Sequence, residues 1–246
     1  MTTALMNNLN AKGARFAGVM ITLAGALLMS LDPIFIRFSG VSGVDTAFLF
    51  GLFTAISMPI FIQLRDERGL VRAVKESGWH VLLSGLLMLG SAAGLVMSIK
   101  LTTVANTFVI LSAAPALAAL FSWWFLGEVT QRSTWIAIVA VMVGIAIVVS
   151  GSFKSGNWIG DGLAVFAVVC LSLNQVQLRK HQHVSRMASV GFGGMFLALA
   201  MLFWATPSTY SANTWLIMGL MGYLLRRLGV CFHKSRPVTS RHLKLA

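Results

Sequence analysis

The chain has 246 residues, of which 57% are hydrophobic and 11% charged, and its mean hydropathy is +0.82. A water-soluble domain of that length needs far more polar surface around its core, so the composition excludes one and predicts an all-α integral membrane chain. The net charge of +12 does not imply nucleic acid, because most basic residues fall in short loops and a basic tail, where they mark topology.

Crossing roughly 30 Å of hydrocarbon takes about 20 apolar residues. Seven segments qualify, at 17–38, 45–64, 79–99, 103–127, 133–151, 158–178 and 188–206; an eighth, 213–225, is short and stops at Arg226. The N-terminus "MTTALMNNLNAKGARF" is polar and the run after it is too long for a signal-peptide core, so no cleavable leader is expected.

The first segment closes on "SLDPIFIR", residues 30–37, with Asp32 followed by Pro33. A carboxylate at membrane depth costs about 2.5–3.5 kcal/mol on insertion scales. Two readings stand side by side: Asp32 lines a water-filled pathway and meets substrate or proton, or it is hydrated or paired locally with Arg37 near the interface. Pro33 is expected to kink the helix. The third segment carries "GSAAG", with Gly90 and Gly94 spaced for close helix contact; internal packing is the main reading and a homodimer face the lesser one.

Asn106 and Thr107 begin the fourth segment, where a cap or interhelical hydrogen bond competes with a pathway role. Pro115 is expected to kink that helix, and Gly144 to pack the next one. Ser172, Asn174, Gln175 and Gln177 are polar at depth in the sixth, where they supply hydrogen bonds to a ligand or across helices. "HQH" at 181–183 lacks a third ligand nearby in sequence and reads as a solvated loop, so no metal is expected. Trp79, Trp123, Trp124, Trp135, Trp158 and Trp215 lie near segment ends and read as interfacial anchors. Cys170 and Cys231 form no disulfide framework. No nucleophile–base set, phosphate-binding loop or ATPase signature is visible, so neither an enzyme nor a cofactor is expected.

Basic residues set the orientation. One side of the membrane holds Lys12, Arg15, Arg65, Arg68, Arg72, Lys75, Arg132, Arg179, Lys180 and Arg186; the other holds Arg37, Lys100 and Lys154. That asymmetry predicts a cytoplasmic N-terminus.

The chain also echoes itself. "SLDPIFIR" at 30–37 aligns with "SLNQVQLR" at 172–179, which sets Asp32 on Asn174, and Gly18 falls on Gly160 at the same offset of 142. "GLFTAISM" at 51–58 matches "GMFLALAM" at 194–201 at an offset of 143. The first segment then corresponds to the sixth, so the unit is five helices. An odd unit inserts its second copy upside down, which is the inverted-repeat pattern of secondary transporters.

The stretch "TTVANTFVILSAAPALAALFSWWFLGEVTQRSTWIAIVAVMVGIAIVVSG", residues 102–151, resembles the EamA-like family of the drug/metabolite transporter superfamily. The matching features are Ala105 and Asn106, the Pro115 helix, "FLGE" ending at Glu128, Trp135 and the Gly144 helix; "LDPIFIRFSGVSG" looks like the same branch. The resemblance covers roughly 17–225. It implies ten helices in two inverted five-helix repeats, both termini cytoplasmic, and alternating-access transport of small metabolites or drugs across a bacterial inner membrane. The substrate-pathway candidates are Asp32, Asn174, Asn106 and Ser172, and the partners are a small-molecule solute and the lipid bilayer.

The expected organisation is a cytoplasmic N-terminus at 1–16, a first repeat at 17–151, a partial second repeat at 158–225 and a basic tail at 226–246. The tail has no 3.6-residue apolar pattern, and degenerate codons for it permit family-like sequence in another frame. A frameshift near 222–226 is therefore expected, leaving one complete repeat, an incomplete second one and a disordered tail, and a chain so shortened is expected to transport poorly or not at all. The alternative is a non-transporting membrane protein, or a decaying fragment, with only a packing role.

Overall fold

Apolar runs decide where this chain is helical, and two prolines, Pro33 and Pro115, stand at helix starts. The computed structural model describes residues 16, 19–20, 23, 27, 30–65, 69–128, 131–155 and 158–221. The tail, the frameshift region and most of the first segment lie outside them.

The described helices are α1 Asp32–Arg37, α2 Gly43–Arg65, α3 Gly69–Ser77, α4 His80–Leu101, α5 Val104–Leu111, α6 Ala114–Leu126, α7 Arg132–Ser155, α8 Trp158–Lys180, α9 Arg186–Leu202 and, after a 3₁₀ turn at Pro207–Thr209, α10 Ala212–Met221. No strand occurs among the described residues. Five stretches are long and apolar enough to cross a membrane: Gly43–Gln63, His80–Leu101, Val104–Leu126, Arg132–Gly151 and Trp158–Lys180. They match predicted segments two to six.

Three local features differ from expectation. Pro33 stands in the first turn of α1, after a turn at residues 30–31, so it opens a new helix instead of kinking a long one. Pro115 does the same for α6 and splits the fourth segment into two pieces. Pro lacks an N–H, and the first turn of a helix is where that loss is harmless. The 65–78 stretch, expected as a loop, contains α3. Its Arg72 and Glu76, one turn apart, form an ion pair at 3.0 Å, and Val74 packs beneath it with Ile62 and Val81.

Packing follows the small residues. α2 lies mainly on α9, α4 on α8, and α9 also on α4. A Cβ added to Gly90 would sit 2.8 Å from the Cys170 sulfur, and one on Gly94 would sit 2.8 Å from the Leu163 carbonyl oxygen. The pair predicted as small-residue contacts thus seats α4 on α8. A Cβ added to Gly144 would meet nothing within 4 Å among the described residues, so no close helix contact there depends on a glycine.

The α2–α9 crossing repeats itself. A Cβ on Gly51 would meet the Ala198 nitrogen, the Gly194 oxygen and Leu197; one on Gly194 would meet Thr54, the Ala55 nitrogen and the Gly51 oxygen. Adding 143 to 51, 54 and 55 gives 194, 197 and 198. Each helix therefore makes on its neighbour the contacts that its neighbour makes on it, as in a two-fold interface. Gly191 against Met58 continues the series with opposite chain directions, so the two helices run antiparallel.

Candidate functional site

One end of the helix bundle gathers polar side chains. The last carbonyls of α4 lack intrahelical partners and carry the negative end of the helix dipole, which favours cations there. Arg37 donates to the Ile99 oxygen at 2.8 Å and to the Thr102 oxygen at 3.1 Å. Lys100 donates to Ser39 Oγ and to the Val41 oxygen, both at 2.9 Å. Arg37 thus belongs to the end of α4; the structure shows no Asp32–Arg37 ion pair.

The same end holds Asp45 in the first turn of α2. It accepts from Ser42 Oγ at 2.6 Å, the Thr206 nitrogen at 2.9 Å and Tyr210 Oη at 2.7 Å. Partial burial, then the hydrogen bond and charge of Asp45, hold the Tyr210 phenol above the usual tyrosine range. Thr214 donates to the Ser39 oxygen at 3.1 Å, which closes this end around the α1–α2 turn.

Beside it lies Asp161, fully buried in the first turn of α8. One oxygen faces the Asn106 amide at 3.5 Å, and the other has no hydrogen-bond partner among the described residues. Gly160 makes room by seating on Thr102. Sequence reasoning passed over Asp161. The available signal was an acid in the first turn of an apolar helix, where the dipole stabilises negative charge.

The pathway candidates do not form one cluster. Asn174 accepts from Ser84 Oγ across α4 and α8, and Ser172 donates to the Ala114 oxygen at 3.1 Å. Both are buried between helices. Along α8 they stand roughly 16–20 Å from Asp161, at 1.5 Å per residue. Asn106 lies at the polar end, with its own backbone nitrogen bonded to the Thr103 cap at 3.2 Å. Asp32 is half-buried, and its Oδ1 has no partner among the described residues.

Two clefts flank these positions. An apolar one of about 180 Å³ is lined by Ala55, Pro59, Ile62, Gly191, Phe192 and Met195, among others. An open one of about 370 Å³ lies where Ser112 and Pro115 face Ser133 and Thr134. Neither includes the four candidates.

The family model for EamA-like transporters matches residues 16–150, more than half the chain. The chain belongs to the EamA-like transporter family. No curated protein and no solved structure matches it. This EamA-like chain is accordingly a membrane protein of a transporter family, whose partners are small solutes and lipid.

At the opposite end of α4 and α8, the EamA-like chain departs from the sequence reading of "HQH". His80, the first residue of α4, stacks on His181 with ring centroids 3.7 Å apart, and His183 stands edge-on to both at 5.7–5.8 Å. The third imidazole that the sequence did not place beside the pair comes from about a hundred residues upstream. Partial burial, His80, His183 and Lys180 together hold the His181 imidazole below the usual histidine range. Nearby, Arg179 donates to Glu128 at 3.1 Å and to Ser122 at 3.2 Å.

Proposed function

We propose that this chain is a secondary transporter of small metabolites or drugs in a bacterial inner membrane, with its N-terminus cytoplasmic and residues 17–151 and 158–225 belonging to two inverted repeats. The observation that carries the reading is the antiparallel Gly51–Gly194 crossing. Its contacts recur at the offset by which the sequence echoes itself. Inverted repeats support alternating access, in which one repeat rocks against the other. Two glycines in backbone contact suit such a pivot, because no side chain has to be threaded past its neighbour.

Asp32 is the residue proposed to take the coupling proton. It occupies the position equivalent to Asn174 in the echo, and its Oδ1 has no partner among the described residues, whereas Asn174 is held by Ser84. A carboxylate in low dielectric binds a proton more readily than one in water.

The test is uptake by the full chain in proteoliposomes carrying a pH gradient, offered a panel of labelled amino acids and cationic dyes. Uptake above that of empty vesicles, reduced by Asp32→Asn, is the expected result. No uptake of any panel member would sink the transport reading; unchanged uptake and pH dependence in Asp32→Asn would remove Asp32 from it. Cysteine accessibility should place 65–78 and 179–187 on the cytoplasmic side, and exposure of either outside would refute the orientation.

A further inference from the structure

We propose that His80, His181 and His183 form a binding site for a first-row transition-metal dication of the Zn(II) class. Each imidazole offers a ring nitrogen, and these three atoms lie within 4.8 Å of one another. Ligand nitrogens around one Zn(II) at about 2.0–2.1 Å stand roughly 3.4 Å apart in a tetrahedral site. Each ring nitrogen directs its lone pair in the ring plane, so binding requires the His80–His181 stack to open by side-chain rotation as the exposed His183 swings in.

The backbone that carries the three rings is already fixed. The His181 nitrogen donates to the Gln177 oxygen at 2.9 Å, which continues α8 into the loop, and the Val184 nitrogen donates to the His181 oxygen at 3.0 Å, which tightens the turn between the two histidines. Val184 is buried in the cluster with Ile62, Val81 and Ala188. The Ser185 nitrogen donates to Ser77 Oγ at 2.9 Å, and Ser185 then caps α9. Gln177 reaches across to donate to the His80 backbone oxygen at 2.7 Å. Sites held this way lose little entropy on binding.

An independent observation points to a ligand. His80 Nδ1 is buried and has no hydrogen-bond partner among the described residues. A buried imidazole nitrogen without a partner costs desolvation free energy that a metal bond or a proton partner offsets. The donor set selects the metal. Three imidazole donors, with no carboxylate grouped with them among the described residues, suit Zn(II), Ni(II) or Cu(II) and disfavour Mg(II) and Ca(II), which require oxygen ligands. Arg179 does not oppose the charge fully, since Glu128 pairs with it. A bound dication would join the start of α4 to the turn between α8 and α9.

The test uses the full chain in detergent, purified without a polyhistidine tag, and Zn(II) alone as probe. Equilibrium dialysis followed by metal counting should find one Zn(II) per chain. His183→Ala removes an exposed ring and leaves the packing beneath it. It should weaken binding by more than about 10-fold, the low end of what losing even an outer partner of a ligand costs. The double variant His233→Gln/His242→Gln, which removes the tail histidines, should bind like wild type. Co(II) in place of Zn(II) should give visible d–d bands that His183→Ala abolishes. Equal Zn(II) binding by wild type and His183→Ala, or loss of binding in the tail variant, would overturn the site.

Discussion

α2 and α7 are both long apolar helices, yet they are packed in opposite ways. α7 is the more hydrophobic, with a mean hydropathy of 2.4 against 1.7, but 6% of its spanning window is buried against 56% for α2. Hydrocarbon is as apolar as leucine, so hydrophobicity takes a helix into the bilayer and leaves its neighbours undecided. What decides them is how closely two backbones can approach. Gly51 rests on the Gly194 oxygen and the Ala198 nitrogen, whereas Gly144 and Gly151 of α7 face open space among the described residues. Glycine marks an interface only where a second helix brings its own small residues to it.

The strongest way to break this comparison is to add bulk at both places. Gly194→Leu should be the most damaging substitution, because its Cβ would already lie 2.8 Å from Thr54 Cβ and 2.9 Å from the Ala55 nitrogen. Overpacking costs about 1–3 kcal/mol when side chains can yield, and backbone yields less. Loss of monodisperse protein in detergent is expected. Gly144→Leu should change stability by less than about 0.5 kcal/mol. Comparable melting of the two variants would show that the α2–α9 contact is not what holds these helices.

A smaller effect sharpens the same contrast at the α4–α8 seam. Asn174→Ala should cost about 1–2 kcal/mol, as it strips Ser84 of a buried partner. A double-mutant cycle with Ser84→Ala gives the coupling directly. Coupling near zero would mean that the seam rests on Gly90 and Gly94 alone.

The smallest effect concerns the polar end. Tyr210→Phe should cost about 0.5–1.5 kcal/mol through its bond to Asp45. The folded phenol titrates above its unfolded value, so its contribution is complete below about pH 10 and fades as pH rises further. Melting curves from pH 8 to 11.5 should show a steeper alkaline decline in wild type than in Tyr210→Phe. Parallel declines would remove Tyr210 from the account.

Much of the fold was legible because lipid imposes a simple rule: apolar runs of the right length become helices. Segments two to six follow it, and the "GSAAG" contact was readable from spacing alone. Pro33 and Pro115 were legible as disturbances. That each opens a fresh helix depended on the residues before it forming a turn. The polar candidates were legible as polar but not as neighbours. Ser84 and Asn174 are 90 residues apart, and nothing in a single sequence ties one to the other. His80 escaped notice for the same reason: it joins His181 and His183 only because α4 starts where α8 ends. Asp45, with Thr206 and Tyr210 converging on it, had no local signature beyond an acid in a helix's first turn.

The break at Ser112 and Ala113 has a mechanical side. At 1.5 Å per residue, α5 is about 12 Å long and α6 about 20 Å, so neither crosses the bilayer alone and together they do. Pro115 offers no N–H to the Leu111 carbonyl, and the two rods meet at an elbow braced by Ser112 Oγ on the Val109 oxygen at 2.6 Å and by the Ala113 nitrogen on the Ile110 oxygen at 3.1 Å. The hydrogen-bond ladder is interrupted at this joint and continues within each arm. Amide exchange in this span should be fastest at the joint and slow on either arm.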